Sequence, residues 1–153
     1  MKIFILSDTH GQIDGAEEAI RREKPDQVIH LGDCLRDAEE LERRIPRLPF
    51  CSVPGNNDWF FDLPKEKVIS LGGVKIFLCH GHTTRVKYGL DLQVYRALQA
   101  GCAVSLFGHT HRPLLERQRD VLLLNPGSVA DSDTYALLTL SPNEPPHGEI
   151  RTL

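Results

Sequence analysis

KIFILSDTHG (Lys2–Gly11) and QVIHLGD (Gln27–Asp33) are the two stretches on which the fold turns. Each is a near-continuous apolar run that breaks into glycine and aspartate. A strand with one wet face alternates apolar and polar residues, so unbroken runs of this length predict strands buried on both faces. Between them Ala16, Ala19 and Ile20 recur at helical spacing, with Asp14 read as N-cap, Glu17 three residues on, and Pro25-Asp26 closing the helix.

The same alternation continues outward. Ala38, Leu41 and Ile45 mark a second helix ended by Pro46, and Phe50–Val53 a third strand cut by Pro54-Gly55-Asn56-Asn57-Asp58. A βαβαβ order favours parallel strands joined by right-handed crossovers. The second half reads differently. Lys67–Leu71 and Val74–Cys79 flank Gly72-Gly73 as a hairpin. Leu90, Val94 and Leu98 mark a helix closed by Gly101, and Ala103–Phe107 is a strand ending at Gly108-His109-Thr110-His111. Leu114–Gln118 and Val121–Leu124 form a second hairpin around Arg119-Asp120. The Asn125-Pro126-Gly127-Ser128 turn, a strand over Tyr135–Leu140, a Pro142–Pro146 loop and a short final segment complete the chain.

The 153 residues fit one domain, 1–153, with no repeat or linker; 41% are hydrophobic and 25% charged, which is ordinary for a globular protein. No apolar run approaches the roughly 18 residues of a membrane span, and the short run after Met1-Lys2 is no signal-peptide core, so a cytoplasmic protein without membrane contact is expected. A net charge of −3 gives no sign of strong nucleic-acid binding. Cys34, Cys51, Cys79 and Cys102 are scattered without a CxxC pair, which argues against a disulfide framework or zinc ribbon.

Seven histidines are many for this length, and their placement matters more than their number. Four strands end in polar clusters: Asp8/His10, Asp33, His80/His82 and His109/His111; Asn56 follows a fifth. Open α/β sheets gather ligands where strands deliver their C-terminal ends. Carboxylate and imidazole donors without thiolate suit Zn, Mn, Fe or Ni, and a carboxylate can bridge two cations. The two-residue spacing of Asp8-x-His10 puts both side chains on one side of an extended segment. Glycines at 11, 32, 55, 81 and 108 suit tight turns that let backbone approach an ion or phosphate.

In this order, D-x-H (Asp8, His10), G-D (Gly32, Asp33), G-N-x-D (Gly55, Asn56, Asp58), H-G-H (His80–His82) and G-H-T-H (Gly108–His111) resemble the calcineurin-like metallophosphoesterase superfamily. The closer likeness is to its small single-domain bacterial and archaeal phosphodiesterases, which the N-P-G-S turn also resembles. The resemblance implies an α/β (α+β) fold, a two-sheet β-sandwich flanked by helices. It implies one divalent ion on Asp8, His10, Asp33 and His111 and a second on Asp33, Asn56, His80 and His109, with Asp33 bridging. Manganese is the metal expected first, with Ni, Fe, Zn and Mg as alternatives. Two cations about 3.5–4 Å apart would activate a bridging hydroxide for in-line attack on a small phosphoester.

One position departs from the wider superfamily. Where a leaving-group acid often stands, this chain has Asn57, followed by Asp58. A carboxamide does not titrate near neutrality, so Asn57 only donates a hydrogen bond, and His82 becomes the remaining acid candidate. The readings of other residues are blander. His30 lies within a strand as a satisfied core or near-site histidine, His147 in solvent, and Arg85 and Lys87 on a surface loop. Trp59-Phe60-Phe61 is either an exposed substrate rim or a packing cluster. Beside phosphodiesterase stand a phosphomonoesterase, a nucleotide pyrophosphohydrolase, and a noncatalytic scaffold such as the retromer subunit of this fold. The oligomeric state, homo-oligomer included, is left open.

Overall fold

The computed structural model describes residues 1–153. Its strands are β1 (Lys2–Leu6), β2 (Gln27–His30), β3 (Phe50–Ser52), β4 (Glu66–Leu71), β5 (Val74–Cys79), β6 (Val104–Leu106), β7 (Leu114–Gln118), β8 (Val121–Asn125), β9 (Thr134–Thr139) and β10 (His147–Thr152). Four helices intervene: α1 (Asp14–Glu23), α2 (Leu35–Arg44), α3 (Asp91–Gln99) and α4 (Val129–Ser132).

The strands form two five-stranded sheets, ordered β10-β9-β1-β2-β3 and β4-β5-β6-β8-β7. Alternate residues of each central strand serve two different cores. Ile3 and Ile5, Ile76 and Leu78, Leu122 and Leu124, and Ala136 and Leu138 face inward and fill the space between the sheets. Phe4 and Leu6 with Tyr135 and Leu137 face outward under Ala16, Ala19 and Ile20 of α1 and Leu41 of α2. On the other sheet Phe77, Cys79, Val121 and Leu123 face outward under Val94 and Ala97 of α3. The result is a sandwich of two sheets with helices on both outer faces, and it explains why the strand sequences are apolar without alternation.

In the first sheet β1, β2 and β3 run parallel, as the βαβαβ order predicts. In the second, both hairpins form (β4 with β5, β7 with β8), but its centre is parallel: β5 with β6, and β6 with β8. The hairpin-rich reading of this half missed that. Each sheet thus carries three parallel strands, and these deliver their C-terminal ends to one rim.

Three local readings need correction. Asp14 is not the N-cap of α1; Ile13 holds that place without a side-chain cap, and the Asp14 carboxylate instead accepts from Arg44 on α2 at 2.8 Å. The buried face of α3 is Gln93, Val94 and Ala97, whereas Leu98 is exposed. The last segment is an edge strand, β10, paired antiparallel with β9, and α4 was not foreseen. No helix is long and apolar enough to cross a membrane, and all four cysteines are free.

Candidate metal centre

His80, just past β5, is fully buried. Its Nδ1–H donates to the Leu31 carbonyl at 2.7 Å, which fixes the tautomer and leaves Nε2 as a bare lone pair. That nitrogen has no hydrogen-bond partner, and it lies 3.6 Å from Asp33 Oδ1 and 3.9 Å from Asp8 Oδ1. Asp8 is fully buried as well, and its Oδ1 is also unpartnered. Buried polar atoms almost always find a partner. These two are both acceptors, and acceptors cannot satisfy one another. A cation among them satisfies them together, so the donor set fits a metal ion. A ring nitrogen aimed inward, with the other nitrogen held by a carbonyl, is the usual second-sphere arrangement of a ligating histidine.

Asp8 stands at the centre. With His10 and His111 it forms one cluster able to hold an ion, and with Asp33 and His80 a second. The carboxylate common to both clusters is therefore Asp8, whereas the resemblance gave the shared role to Asp33. Asp8 Oδ2 accepts from Ser7 Oγ at 2.5 Å and from the His109 backbone N–H at 3.3 Å. His111 Nε2 is 3.0 Å from Asp8 Oδ1, and its Nδ1 is held by Asp131. Burial opposes the His111 charge, but the Asp131 and Asp8 carboxylates outweigh it and raise its pKa. The His109 ring packs 5.0 Å from that of His80. Burial, His80 and the Lys87 charge hold its pKa down, at about 4. Asn56 lies exposed in the turn after β3, and its carbonyl accepts from the Trp59 indole N–H.

The backbone around these groups is strained. Asp8, His10, Asp33, His109 and His111 all have positive φ, between 44° and 68°. The Asp8-x-His10 segment is thus not extended; two left-handed residues flank Thr9, and the same pattern recurs at His109-x-His111. Non-glycine residues adopt this region at a cost, and clusters of them mark functional loops. Gly55 explains how close the turns come. A Cβ there would lie 2.1 Å from Asp33 Oδ1 and 2.5 Å from its backbone nitrogen.

The position expected to replace a general acid is occupied differently. Asn57 donates twice to Asp33, from its backbone to Oδ1 at 3.1 Å and from Nδ2 to Oδ2 at 2.9 Å. Its amide is committed to orienting that carboxylate. Asp58 is buried and accepts from the backbone N–H groups of Asp33, Gly55 and Leu35, each at 2.8 Å. It ties the turn after β3 to the start of α2 and has no oxygen to spare for poising a neighbour. His82, with rings 5.6 Å from His80 and 6.2 Å from His109, has its pKa lowered by burial and by His80. That shift disfavours the protonated ring a general acid would need.

His30 is a satisfied core histidine. Its Nδ1 accepts from the Gly32 N–H at 3.1 Å, so Nε2–H donates to Thr9 Oγ1 at 3.2 Å. Trp59 and Phe60 are 82% and 89% exposed and so are not packed, whereas Phe61 beside them is half-buried. Sequence reasoning missed Asp131 altogether. Its signal was the S-x-x-D spacing of Ser128 and Asp131, where Ser128 Oγ caps the Asp131 N–H at 3.1 Å and starts α4.

Known proteins similar to this chain fall in one family. The model of the calcineurin-like phosphoesterase superfamily domain matches residues 1–143. A probable metallophosphoesterase of Bacillus subtilis is 37% identical over 148 residues, covering 92% of this chain and 85% of its own. A phosphodiesterase of Methanocaldococcus jannaschii is 32% identical over 149 residues, covering 83% of each. Vps29 of Entamoeba histolytica, solved in complex with Zn2+, shares the fold with a TM-score of 0.77 at 20% identity, covering 99% of both chains. With the family model matching almost the whole length and relatives above 30% identity, the chain belongs to the calcineurin-like phosphoesterase superfamily.

Proposed function

We propose that this chain is a phosphodiesterase that works with two divalent metal ions held by Asp8, His10, Asp33, Asn56, His80, His109 and His111. The observation that carries the reading is the pair of buried acceptors, Asp8 Oδ1 and His80 Nε2, with no hydrogen-bond partner. When bound, a metal pair supplies Lewis acidity to the phosphate and a nucleophile from water at neutral pH.

The chain's own groups do the rest. The Leu31 carbonyl and the Asp131 carboxylate orient His80 and His111. Asn57 holds both oxygens of Asp33. A carboxylate shared by two ions would be Asp33, as the resemblance implies, or Asp8, whose Oδ1 lies 3.0 Å from His111 Nε2 and 3.9 Å from His80 Nε2. No side chain at position 57 or 58 is free to protonate a leaving group, which favours diesters with acidic leaving groups over alkyl monoesters. The phosphodiesterase named among the relatives supports the same substrate class.

The test is turnover by metal-stripped protein against matched diester and monoester panels, with Mn, Ni, Fe, Zn and Mg restored one at a time; Mn is expected to restore diester cleavage best. Metal binding without turnover of any ester would move the chain to the scaffold reading.

A further inference from the structure

Beside the candidate centre lies a cavity of about 440 Å³ that no step above uses. Val86, Leu90, Phe107 and Leu114 line it, with the half-buried Leu90 and Leu114 as its accessible apolar side chains, and the exposed Lys87 and Arg112 line it as well. No carboxylate lines it to neutralise those cations. Thr110 joins it to the centre. This residue lies between His109 and His111, and its hydroxyl is fixed by Asn125 Nδ2 at 3.0 Å, a side chain that also holds the Gly108 carbonyl at 3.0 Å. Arg112 follows His111 directly. The wall of the cavity is thus the loop that carries two candidate ligands.

Resting on the phosphodiesterase reading, we propose that this cavity is the subsite for the non-reacting half of the substrate, and that it selects a nucleotide-like group: a flat apolar body carrying a second phosphate. The apolar lining takes up a ring by burial. Two cations in a lining that holds no carboxylate add an anion requirement that a neutral body would leave unmet. Such a group would keep one phosphate at the centre, bring a second to Lys87 and Arg112, and bury its ring against Leu90 and Leu114.

Three p-nitrophenyl diesters with the same leaving group test this: methyl p-nitrophenyl phosphate, thymidine 5′-(p-nitrophenyl phosphate), and the same thymidine ester bearing a 3′-phosphate. KM is expected to fall along that series. Lys87→Gln and Arg112→Gln should each raise KM for the 3′-phosphorylated ester about 10–150-fold, the range of one charge-assisted hydrogen bond, and raise it for the methyl ester by a clearly smaller factor. Equal KM values across the series, or an equal loss on all three esters in the variants, would overturn the subsite. Titration calorimetry of thymidine 3′,5′-bisphosphate against thymidine 5′-monophosphate gives a second reading that needs no turnover. If no ester is cleaved but the bisphosphate binds more tightly and loses that margin in Arg112→Gln, the phosphodiesterase reading fails and the subsite stands. If the two ligands bind alike, the subsite fails whatever the turnover.

Discussion

Asp131 and His30 show how one side chain sets the state of another. Asp131 holds His111 Nδ1 from the far side of the ring, and removing such a partner commonly costs about 10–100-fold in metal affinity or activity. Asp131→Asn is therefore expected to weaken Mn-dependent turnover by about that factor with unchanged circular dichroism, and excess Mn should rescue it in part. Full activity at limiting Mn would show that His111 needs no orienting partner. His30 makes a pH prediction. Burial lowers its pKa from 6.5 to about 4, so between those values the unfolded chain binds the proton and the folded one does not. Stability is then complete above pH 6.5 and falls as the pH drops toward 4, by about 3 kcal/mol at about 1.4 kcal/mol per pH unit. Urea unfolding of chelator-treated protein at pH 7, 6, 5 and 4.5 measures it. His30→Gln should be less stable at pH 7 but lose less on acidification; parallel losses would place the acid sensitivity elsewhere.

At the scale of elements, local pattern was legible and long-range pairing was not. The apolar runs, Gly72-Gly73 and Pro46 placed nearly every strand and helix, because those signals lie within a few residues of what they determine. The parallel pairing of β5, β6 and β8 joins strands separated by long connections, and nothing in their apolar composition says which neighbour each takes. Candidate ligands were readable because they sit where apolar runs break. Their left-handed backbone was not, since Asp, Asn and His enter that region only where surrounding structure holds them there. The glycines divide on the same ground. Gly55 closes against Asp33, and a Cβ would meet both carboxylate and backbone. Gly15, inside α1, would meet only Leu153 at 3.8 Å or beyond, an ordinary contact. Gly55→Ala should cost about 1–3 kcal/mol as overpacking and disturb Mn binding, whereas Gly15→Ala should add about 0.5–1 kcal/mol by restricting the unfolded chain and favouring helix. Thermal unfolding of the two variants checks both signs. A silent Gly55→Ala would mean the turn relaxes without moving Asp33.

Over the whole molecule, the two sheets bring two sets of parallel strand ends to one rim. The fully buried Asp8 thereby lies close to Asp33 and to an orphaned imidazole nitrogen. Without a cation, that arrangement works against the fold: carboxylates face each other and a neutral ring nitrogen, and a buried uncompensated charge costs several kcal/mol. The core between the sheets, with Ile3, Ile5, Ile76 and Leu78 among its members, has to offset that cost. Asp8→Asn removes a charge while keeping the shape, and its new amide N–H can donate to His80 Nε2 or to Asp33 Oδ1. Metal-free Asp8→Asn is therefore expected to be more stable than metal-free wild type, by about 1 kcal/mol. Binding adds RT ln(1 + [L]/Kd), about 2.7 kcal/mol at a hundredfold excess over Kd. Wild type should gain on that scale when Mn is supplied and Asp8→Asn should not, so the order of stabilities reverses. Thermal melts of both proteins, with chelator and across a Mn titration, read this directly, and turnover should be lost only in the variant. If chelated Asp8→Asn melts below wild type and its Tm still climbs with Mn, Asp8 is an ordinary structural carboxylate, and the metal centre must be rebuilt around Asp33.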